Sequence, residues 1–275
     1  MSTQIRTSNQ NFYYRHLQCW IDIKESLKLW KLAYSMAWLD IKLRYKGSFL
    51  GPIWMTFSSA TMMLAIGLIY GSLFKIHTET YLPYLSFSLI FWQNGIANMI
   101  VDACQCFLQT DTFIHSLKLP FFLQAIRTVI RNFLITFLNC ITPFLVFIYY
   151  HKWPGTIILL SIPGFIIWII NSLAINILLG SICARFRDIP QIINSLIQIV
   201  YYITPIMWMP SQIHNFQSLL LLNPIYSTMQ IIKGPILGEI PTISVYLSAL
   251  AYSLVLWGLA WIMFIRSRTR LAFWI

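Results

Sequence analysis

The sequence is short of charge, and this shortage argues against a soluble globular protein. Of the 275 residues only 10% are charged, while 58% are hydrophobic and the mean hydropathy is +0.68. Soluble domains carry about 25% charged residues. We therefore predict an all-α integral membrane protein, since helices satisfy their own backbone hydrogen bonds in lipid.

Acidic residues are especially few, and their positions argue against two functional classes. All eight Asp and Glu residues lie near the ends of apolar runs or in loops. A carrier coupled to protons or sodium usually has an ionisable side chain inside a span, and an enzyme needs converging catalytic groups. The GxxxxGK[ST] motif that binds phosphates is also missing. We predict that the chain is not an enzyme, has no cofactor of its own and relies on a partner to bind ATP and Mg²⁺.

Cysteine spacing and basic charge exclude two kinds of ligand. The five cysteines have no histidine at zinc-like spacing, which predicts free thiols and no metal site. The net charge of +11 could indicate nucleic-acid binding, but the Lys and Arg residues flank apolar runs and show no clustered pattern interleaved with aromatic residues. We instead predict contacts with membrane lipids and no nucleic acid partner.

Six apolar runs predict six transmembrane helices within a single domain of residues 1–275. Their predicted limits are 53–74, 84–101, 132–150, 157–183, 191–209 and 243–265. The first run is uncharged, and as a helix it would be about 33 Å long, enough to cross a hydrocarbon core of about 30 Å. Arg127 and Arg131 precede the third run, and their long side chains are predicted to reach the membrane surface. Pro163 and Gly164 predict a kink in the fourth.

Two further segments are too polar or too interrupted to span. Residues 20–46 predict an amphipathic helix on the membrane surface, because apolar residues from Trp20 to Tyr45 recur every three or four positions. A helix packed against a partner is the alternative. Residues 210–241 are broken by two Xaa-Pro pairs, which predicts two short re-entrant helices in the outer half of the membrane.

The distribution of basic residues predicts the orientation. Sixteen of the 19 Lys and Arg residues lie on one side of the six predicted spans, and only Lys75, Lys152 and Lys233 lie on the other. Basic residues accumulate on the cytoplasmic side of membrane proteins. We predict a multi-pass protein of the cytoplasmic (inner) membrane with both termini in the cytoplasm.

Several short motifs occur in a characteristic order. A D-x-K-x-R-Y-x-G-S-x-L-G-x-x-W pattern runs from Asp40 to Trp54. It is followed by RFRDI at 185–189, TPI-x-W at 204–208, LNP at 222–224 and the tail RLAFWI at 270–275. Together these motifs resemble those of the ABC-2 type polysaccharide exporter permeases, which export O-antigen, capsule or teichoic acid. The tail is most similar to the O-antigen branch.

The resemblance implies a homodimer of permeases, bound to two ABC ATPase subunits, that exports a lipid-linked polysaccharide of the O-antigen type. It also implies that the cytoplasmic loop 103–117 couples to the ATPase. The coupling residues expected there and beside the surface helix are Cys106, Phe107, Leu108, Phe113, Ile114, Arg44 and Lys46. The apolar character of the loop favours docking over a solvated connector.

The resemblance also assigns an outer gate and a channel. The gate would be formed by Asn223, Pro224 and Lys233, with Lys233 standing where these permeases often have an arginine. Aromatic faces let a sugar chain slide without holding one position. The channel candidates are Phe57, Tyr70, Trp92, Tyr201 and Tyr202. An aromatic belt at the membrane interface is the alternative role for such residues.

Other functions stay open at this point. A teichoic acid, capsule or drug exporter of the same fold is the nearest alternative. From different classes, the alternatives are a membrane enzyme acting on polyprenyl lipids and a non-catalytic membrane scaffold.

Overall fold

A computed structural model describes residues 2–49, 51, 53–73, 75–108, 119–212 and 217–274. Within these ranges the chain is helical and contains no strand. Four helical stretches are long and apolar enough to cross a membrane, namely Thr56–Leu73, Phe121–Tyr149, Gly155–Arg185 and Ile243–Leu271. The expectation of an all-helical, multi-pass membrane protein is confirmed, whereas the number of six spans stays a prediction.

The α-helices follow one another with short connections. They are α1 (Ser2–Lys28), α2 (Trp30–Arg44), α3 (Ile53–Leu73), α4 (Thr78–Ile90), α5 (Asn98–Gln105), α6 (Phe121–Asn139), α7 (Ile141–Tyr149), α8 (Ser161–Arg185), α9 (Ile189–Ile203), α10 (Gln217–Leu220), α11 (Pro224–Ile236) and α12 (Ile243–Trp274). A π-helical turn, Phe91–Ala97, joins α4 to α5, so the predicted second span lies within a continuous helical segment. Short 3-10 turns precede α8 (Gly155–Leu160) and follow α9 (Pro210–Gln212).

The predicted single surface helix over residues 20–46 is wrong in one respect, because the structure has two helices there. α1 ends at Lys28 and α2 begins at Trp30. Shortly before the break, the Ser26 hydroxyl donates a hydrogen bond of 2.7 Å to the Asp22 carbonyl oxygen. Serine hydroxyls that bond one turn back in this way bend helices.

The face that α2 buries matches the predicted apolar stripe only in part, since Ala37 and Ile41 belong to that stripe and Ala33 does not. The buried residues are Ala33, Ala37 and Ile41, spaced four apart, and they pack against α6. Their small size lets the two helices approach closely. Trp30 and Trp38 stay exposed instead.

The helix of the third run begins at Phe121, well before the predicted limit of residue 132, so Arg127 and Arg131 lie inside it. The helix is interrupted at Cys140, between α6 and α7. Pro143 explains this interruption, since it has no N–H to donate to the carbonyl one turn earlier.

Two other prolines lie where the chain changes conformation. α9 ends at Ile203, not at the predicted residue 209, because Pro205 forces Thr204 into an extended conformation (φ −84°, ψ 136°). Pro163 lies in the first turn of α8, directly after a 3-10 turn, where a proline is tolerated. The adjacent Gly164 is needed for packing, because a Cβ there would lie 3.0 Å from the Ile231 carbonyl oxygen on α11.

The core has two parts, with α8 in contact with α5, α11 and α12 between them. One cluster contains Phe107, Leu123 and Phe264 and lies beside the arginines of α6 and α12. We call this side of the molecule the arginine-rich end. The second cluster contains Phe91 and Ile231, and it lies towards Lys233 at the opposite end.

Candidate functional site

Asp40 connects the surface helix α2 to the membrane helix α6. Its carboxylate accepts hydrogen bonds from Arg127 through Nε (2.7 Å) and a terminal nitrogen, and from Arg131 at 3.3 Å. All three side chains are largely buried, with 7–14% of their surface exposed. The prediction that Arg127 and Arg131 extend to the membrane surface is therefore wrong, because both guanidinium groups are neutralised inside the protein.

Asp102, near the end of α5, extends this ion-pair cluster. Its carboxylate accepts a hydrogen bond of 2.9 Å from Arg131 and lies 3.6 Å from the Arg44 guanidinium. Arg131 thus lies between Asp102 and Asp40. The cluster joins α2, α5 and α6 at the arginine-rich end. Removal of Asp40 would leave the largely buried Arg127 without a carboxylate, whereas Arg131 would keep Asp102.

Asp22 forms a second polar contact at the same end. The carboxylate is 2% exposed, accepts the Phe122 backbone N–H at 3.0 Å and pairs with Arg268 Nε at 3.0 Å. Burial raises the pKa of Asp22, while the hydrogen bond from Phe122 and the charge of Arg268 act in the opposite direction. Because Phe122 lies in the first turn of α6, the carboxylate also satisfies a free amide of the helix start. Asp22 thus joins α1, α6 and α12.

The predicted coupling residues divide into buried and exposed groups. Cys106 and Phe107 are buried, at 4% and 0% exposure, and the Phe107 ring packs edge-on against Phe121 with centroids 6.2 Å apart. Phe107 fits over Gly180 on α8, where a Cβ would come within 2.9 Å of the ring. Leu108 is partly exposed.

The remaining coupling candidates lie on the surface or outside the described part of the chain. Lys46 is exposed, and Arg44 combines 39% exposure with its ion pair to Asp102. Phe113 and Ile114 fall among the residues that the structure does not describe. Contact of any of these side chains with an ATPase stays a prediction.

Lys233 is a buried cation at the opposite end. It is 1% exposed, and its ammonium group donates to the Tyr84 hydroxyl at 3.0 Å and to the Pro205 carbonyl at 3.3 Å. It forms no ion pair among the described residues. Together with Tyr84, Glu79 and Glu239 it lines a cavity of about 660 Å³.

Tyrosines of α4 satisfy the irregular backbone that follows α9. The Tyr84 hydroxyl shares its hydrogen between the carbonyls of Pro205 (2.7 Å) and Trp208 (2.9 Å), and Tyr81 donates to the Met207 carbonyl at 2.6 Å. Non-helical backbone at membrane depth is tolerated only where other groups provide its hydrogen bonds. The segment 204–208 is therefore held in place by α4 and Lys233.

Asn223 and Pro224 form the start of α11. The Asn223 side chain accepts from the Ile225 and Tyr226 amides at 3.0 and 3.3 Å and donates to the Thr204 hydroxyl at 2.9 Å. Pro224 takes the first helical position, where its missing N–H costs nothing. The Asn-Pro pair thus separates the short α10 from α11, and it also ties α11 to the end of α9.

The channel candidates differ greatly in exposure. Phe57 on α3 and Tyr202 on α9 are 61% and 71% exposed, whereas Trp92 is 3% exposed and packs against Tyr201 with ring centroids 5.8 Å apart. Tyr70 is partly buried in the same cluster. The Tyr201 hydroxyl is buried and has no hydrogen-bond partner among the described residues. Whether these residues line a channel stays a prediction.

Sequence reasoning missed the groups that hold these regions together. Asp22 and Asp102 were noted only as lying near the ends of apolar runs, and Asp40 was noted in addition only as the start of a motif. Tyr81 and Tyr84 were given no role. The one available signal was charge balance: an arginine on a membrane helix needs a carboxylate, and few carboxylates exist in this chain. Their pairing could not be assigned because the partners are far apart in sequence.

Comparison with known proteins gives two curated relatives and no matching family model. The O-antigen export system permease protein RfbA of Myxococcus xanthus is 24% identical over 214 residues, which cover 75% of this chain and 80% of that protein. The protein of the same name from Klebsiella pneumoniae is 26% identical over 195 residues, covering 68% of this chain and 73% of that protein. The resemblance indicated by the motifs is thereby confirmed, and the chain is similar to the permeases of the O-antigen branch.

Proposed function

We propose that the chain is the transmembrane subunit of an ATP-driven ABC exporter that moves a lipid-linked polysaccharide of the O-antigen type across the cytoplasmic membrane. The observation that carries this proposal is the similarity to two O-antigen export permeases over at least two thirds of the chain. The helices long enough to span a membrane agree with it. The basic residues favour an orientation with the arginine-rich end and both termini in the cytoplasm.

A second copy of the chain would complete the transport path. No residue of α9 is buried. Among the α3 residues whose burial the structure describes, the buried ones form a single stripe of Ser59, Met63, Gly67 and Gly71. This stripe packs against α4, since a Cβ at Gly67 would meet the Leu82 side chain. The other faces of α3 and α9 are available for a homodimer.

The aromatic candidates lie on or beside these faces. Phe57 and Tyr202 are exposed on α3 and α9, where a passing sugar ring could stack without being held. The buried Tyr201 hydroxyl, which lacks a partner among the described residues, would gain one from a sugar hydroxyl after a small side-chain movement. Both features support a polysaccharide path between the two copies.

Coupling to the ATPase would use the arginine-rich end. Phe107 and Cys106 anchor the start of the loop in the core, and the ion-pair cluster of Asp40 and Asp102 ties that loop and α2 to α6. A displacement imposed on the loop would therefore reach a membrane helix through rigid contacts. ATP and Mg²⁺ would be bound by the ATPase.

The gate would use the contacts at the opposite end. Lys233, Tyr84 and the carbonyl of Pro205 bring α11, α4 and the end of α9 to one point. Separation of α11 from α4 would open the cavity of about 660 Å³ that these residues line. We propose that this cavity forms part of the exit.

The test is co-expression with a cognate ABC ATPase, followed by purification, ATP hydrolysis in lipid and analysis of surface polysaccharide in a strain that lacks the permease. We expect a stable complex, faster hydrolysis in the complex and restoration of surface O-antigen. Leu108→Asp, at a partly exposed position shortly after α5, should weaken the complex, whereas Lys75→Asp, at an exposed site in the turn after α3, should not. A chain that purifies without the ATPase and restores no polysaccharide would overturn the proposal, and restoration of a teichoic acid or capsule would change its substrate.

A further inference from the structure

A basic cavity lies at the arginine-rich end, between α1, α8 and α12. Its volume is about 300 Å³, at the lower limit of common ligand pockets. Four arginines line it: Arg15 from α1, Arg185 at the end of α8, and Arg266 and Arg270 from α12. No Asp or Glu is among the residues that line it in the described part of the chain.

These four arginines have no counter-ion in the protein as far as the structure describes it. Arg44, Arg127, Arg131 and Arg268 account for the ion pairs formed by the described arginines. Arg268 lies between two cavity residues in sequence and yet pairs with Asp22 on a different side of the helix. The cavity thus concentrates four unneutralised positive charges, and their mutual repulsion would be relieved by a bound anion.

The other side chains of the cavity are suited to an amphiphile. Arg185 lies over the rings of Phe186 and Trp274, at 5.1 and 5.6 Å from the ring centroids. Ile182 and Met263 add apolar walls. Ser181 and Ser267 form the buried floor, where the Ser267 hydroxyl donates a hydrogen bond of 3.0 Å to Ser181.

We propose that this cavity binds the phosphate headgroup of an anionic membrane lipid, with preference for a lipid that carries two phosphates. Guanidinium groups bind phosphate through two parallel hydrogen bonds, and four arginines can serve two phosphates. Basic pockets between membrane helices on the cytoplasmic side are known to bind anionic head groups. The apolar walls would contact the first part of the acyl chains.

The position of the cavity argues for a membrane lipid and against the transported cargo or a soluble anion. Arg185 is the last residue of one candidate span, and Arg266 and Arg270 lie in the final turns of another. None of the lining residues belongs to α3 or α9, the helices assigned above to the transport path. The proposal therefore depends only on the membrane location of the chain and stands independently of its export function.

The test measures lipid binding by the purified full chain, without ATPase, in a neutral detergent. Cardiolipin, phosphatidylglycerol and phosphatidylcholine are added in turn, and bound lipid is followed by native mass spectrometry together with the apparent Tm. We expect cardiolipin to bind most tightly and phosphatidylcholine to have no specific effect. The double variant Arg266→Gln/Arg270→Gln should bind cardiolipin at least about tenfold more weakly, as expected for the loss of charge-assisted hydrogen bonds.

Two further variants make the result specific. Arg187→Gln removes an exposed arginine two positions from Arg185 that does not line the cavity, and it should leave cardiolipin binding unchanged. Arg266→Lys keeps the positive charge but loses the planar guanidinium group that can form two parallel hydrogen bonds. We therefore expect its affinity for cardiolipin to lie between those of the unmodified chain and the double variant. Both avoid buried positions, and their Tm without lipid should match that of the unmodified chain.

Four outcomes would overturn the proposal. Equal binding of phosphatidylcholine would indicate a general detergent-like effect, and equal protection by inorganic phosphate would indicate a site for a soluble anion. A loss of cardiolipin binding in Arg187→Gln as large as that in the double variant would indicate that binding depends on the general surface charge and not on the cavity. Loss of the ATPase complex in the double variant, with cardiolipin binding intact, would assign the arginines to a protein contact instead.

Discussion

Replacement of Asp40 by asparagine tests the ion-pair cluster most directly. The change removes the negative charge that faces Arg127 and Arg131 and weakens three hydrogen bonds, while the shape of the side chain is kept. Removal of one member of a buried ion pair costs about 3–5 kcal/mol. Arg131 retains Asp102, and Arg127 retains a hydrogen bond of 3.3 Å to Gln124, so we expect a loss of about 3 kcal/mol, at the lower limit of that range.

The assay is thermal unfolding of the purified protein in detergent at a fixed heating rate, followed by tryptophan fluorescence. For a chain of this size about 2–4 °C corresponds to 1 kcal/mol, so Asp40→Asn should lower the apparent Tm by roughly 6–12 °C. Asp188→Asn is the matched control, because Asp188 is exposed and forms no ion pair with a described residue. Its Tm should change by no more than about 2 °C.

A double-mutant cycle separates the pair from other effects. Arg127→Gln removes the cation that Asp40→Asn leaves behind, so the combined variant should lose less stability than the sum of the two single variants. Strictly additive losses would refute the reasoning, as would an Asp40→Asn variant as stable as Asp188→Asn. Either result would mean that the ion pairs do not stabilise the contact of α2 with α6.

Three further predictions concern other contacts. Tyr84→Phe should cost about 2–3 kcal/mol, because the Lys233 ammonium loses one of its two acceptors and the carbonyls of Pro205 and Trp208 each lose the tyrosine hydroxyl. Lys233→Met should change stability by about 1 kcal/mol or less, since an apolar residue in place of a buried cation is often neutral. Equal losses of the two variants in thermal unfolding would contradict this. Gly164→Ala should cost about 1–3 kcal/mol of stability, because the added Cβ would clash with α11. Gly258→Ala is the control, since a Cβ there meets nothing within 4 Å, and its stability should be unchanged or higher. Equal Tm values for the two variants would disprove the clash. Because the pKa of Asp22 is raised in the folded protein, the folded state binds a proton on this carboxylate more tightly than the unfolded chain does. The stability of the protein relative to Asp22→Asn should therefore rise as the pH falls from neutral towards 3.8. Unfolding curves that show the opposite dependence on pH would contradict burial as the cause.

The membrane helices were predictable because long apolar runs and their basic flanks are local signals. The limits of the helices were harder to predict, and Arg127 and Arg131 show the reason. In the sequence these two arginines indicate the end of an apolar run. In the structure the Asp40 carboxylate, 87 and 91 positions away, neutralises both of them, and the helix continues through them. Periodicity contains no information about such a distant partner.

The loop after α5 gives the same lesson for the site. The family resemblance placed Phe107 among the residues that couple to the ATPase, and the apolar character of its loop favoured docking. In the structure the Phe107 ring packs over Gly180 of the same chain, more than seventy positions away. This packing accounts for the burial of Phe107, and contact with an ATPase stays a prediction. The end of α9 was different, since Pro205 is visible in the sequence and only its effect was underestimated.

The contact of Asp22 with Arg268 has a consequence for how the protein is made. The two residues are 246 positions apart in sequence, Asp22 on α1 and Arg268 on α12. Chains are synthesised from the N-terminus, and the Asp22 carboxylate therefore lacks its arginine until α12 has been synthesised. Until then the Phe122 amide of α6 is the bonding partner of this carboxylate, and the ion pair with Arg268 joins α1 to α12 in the final stage of folding.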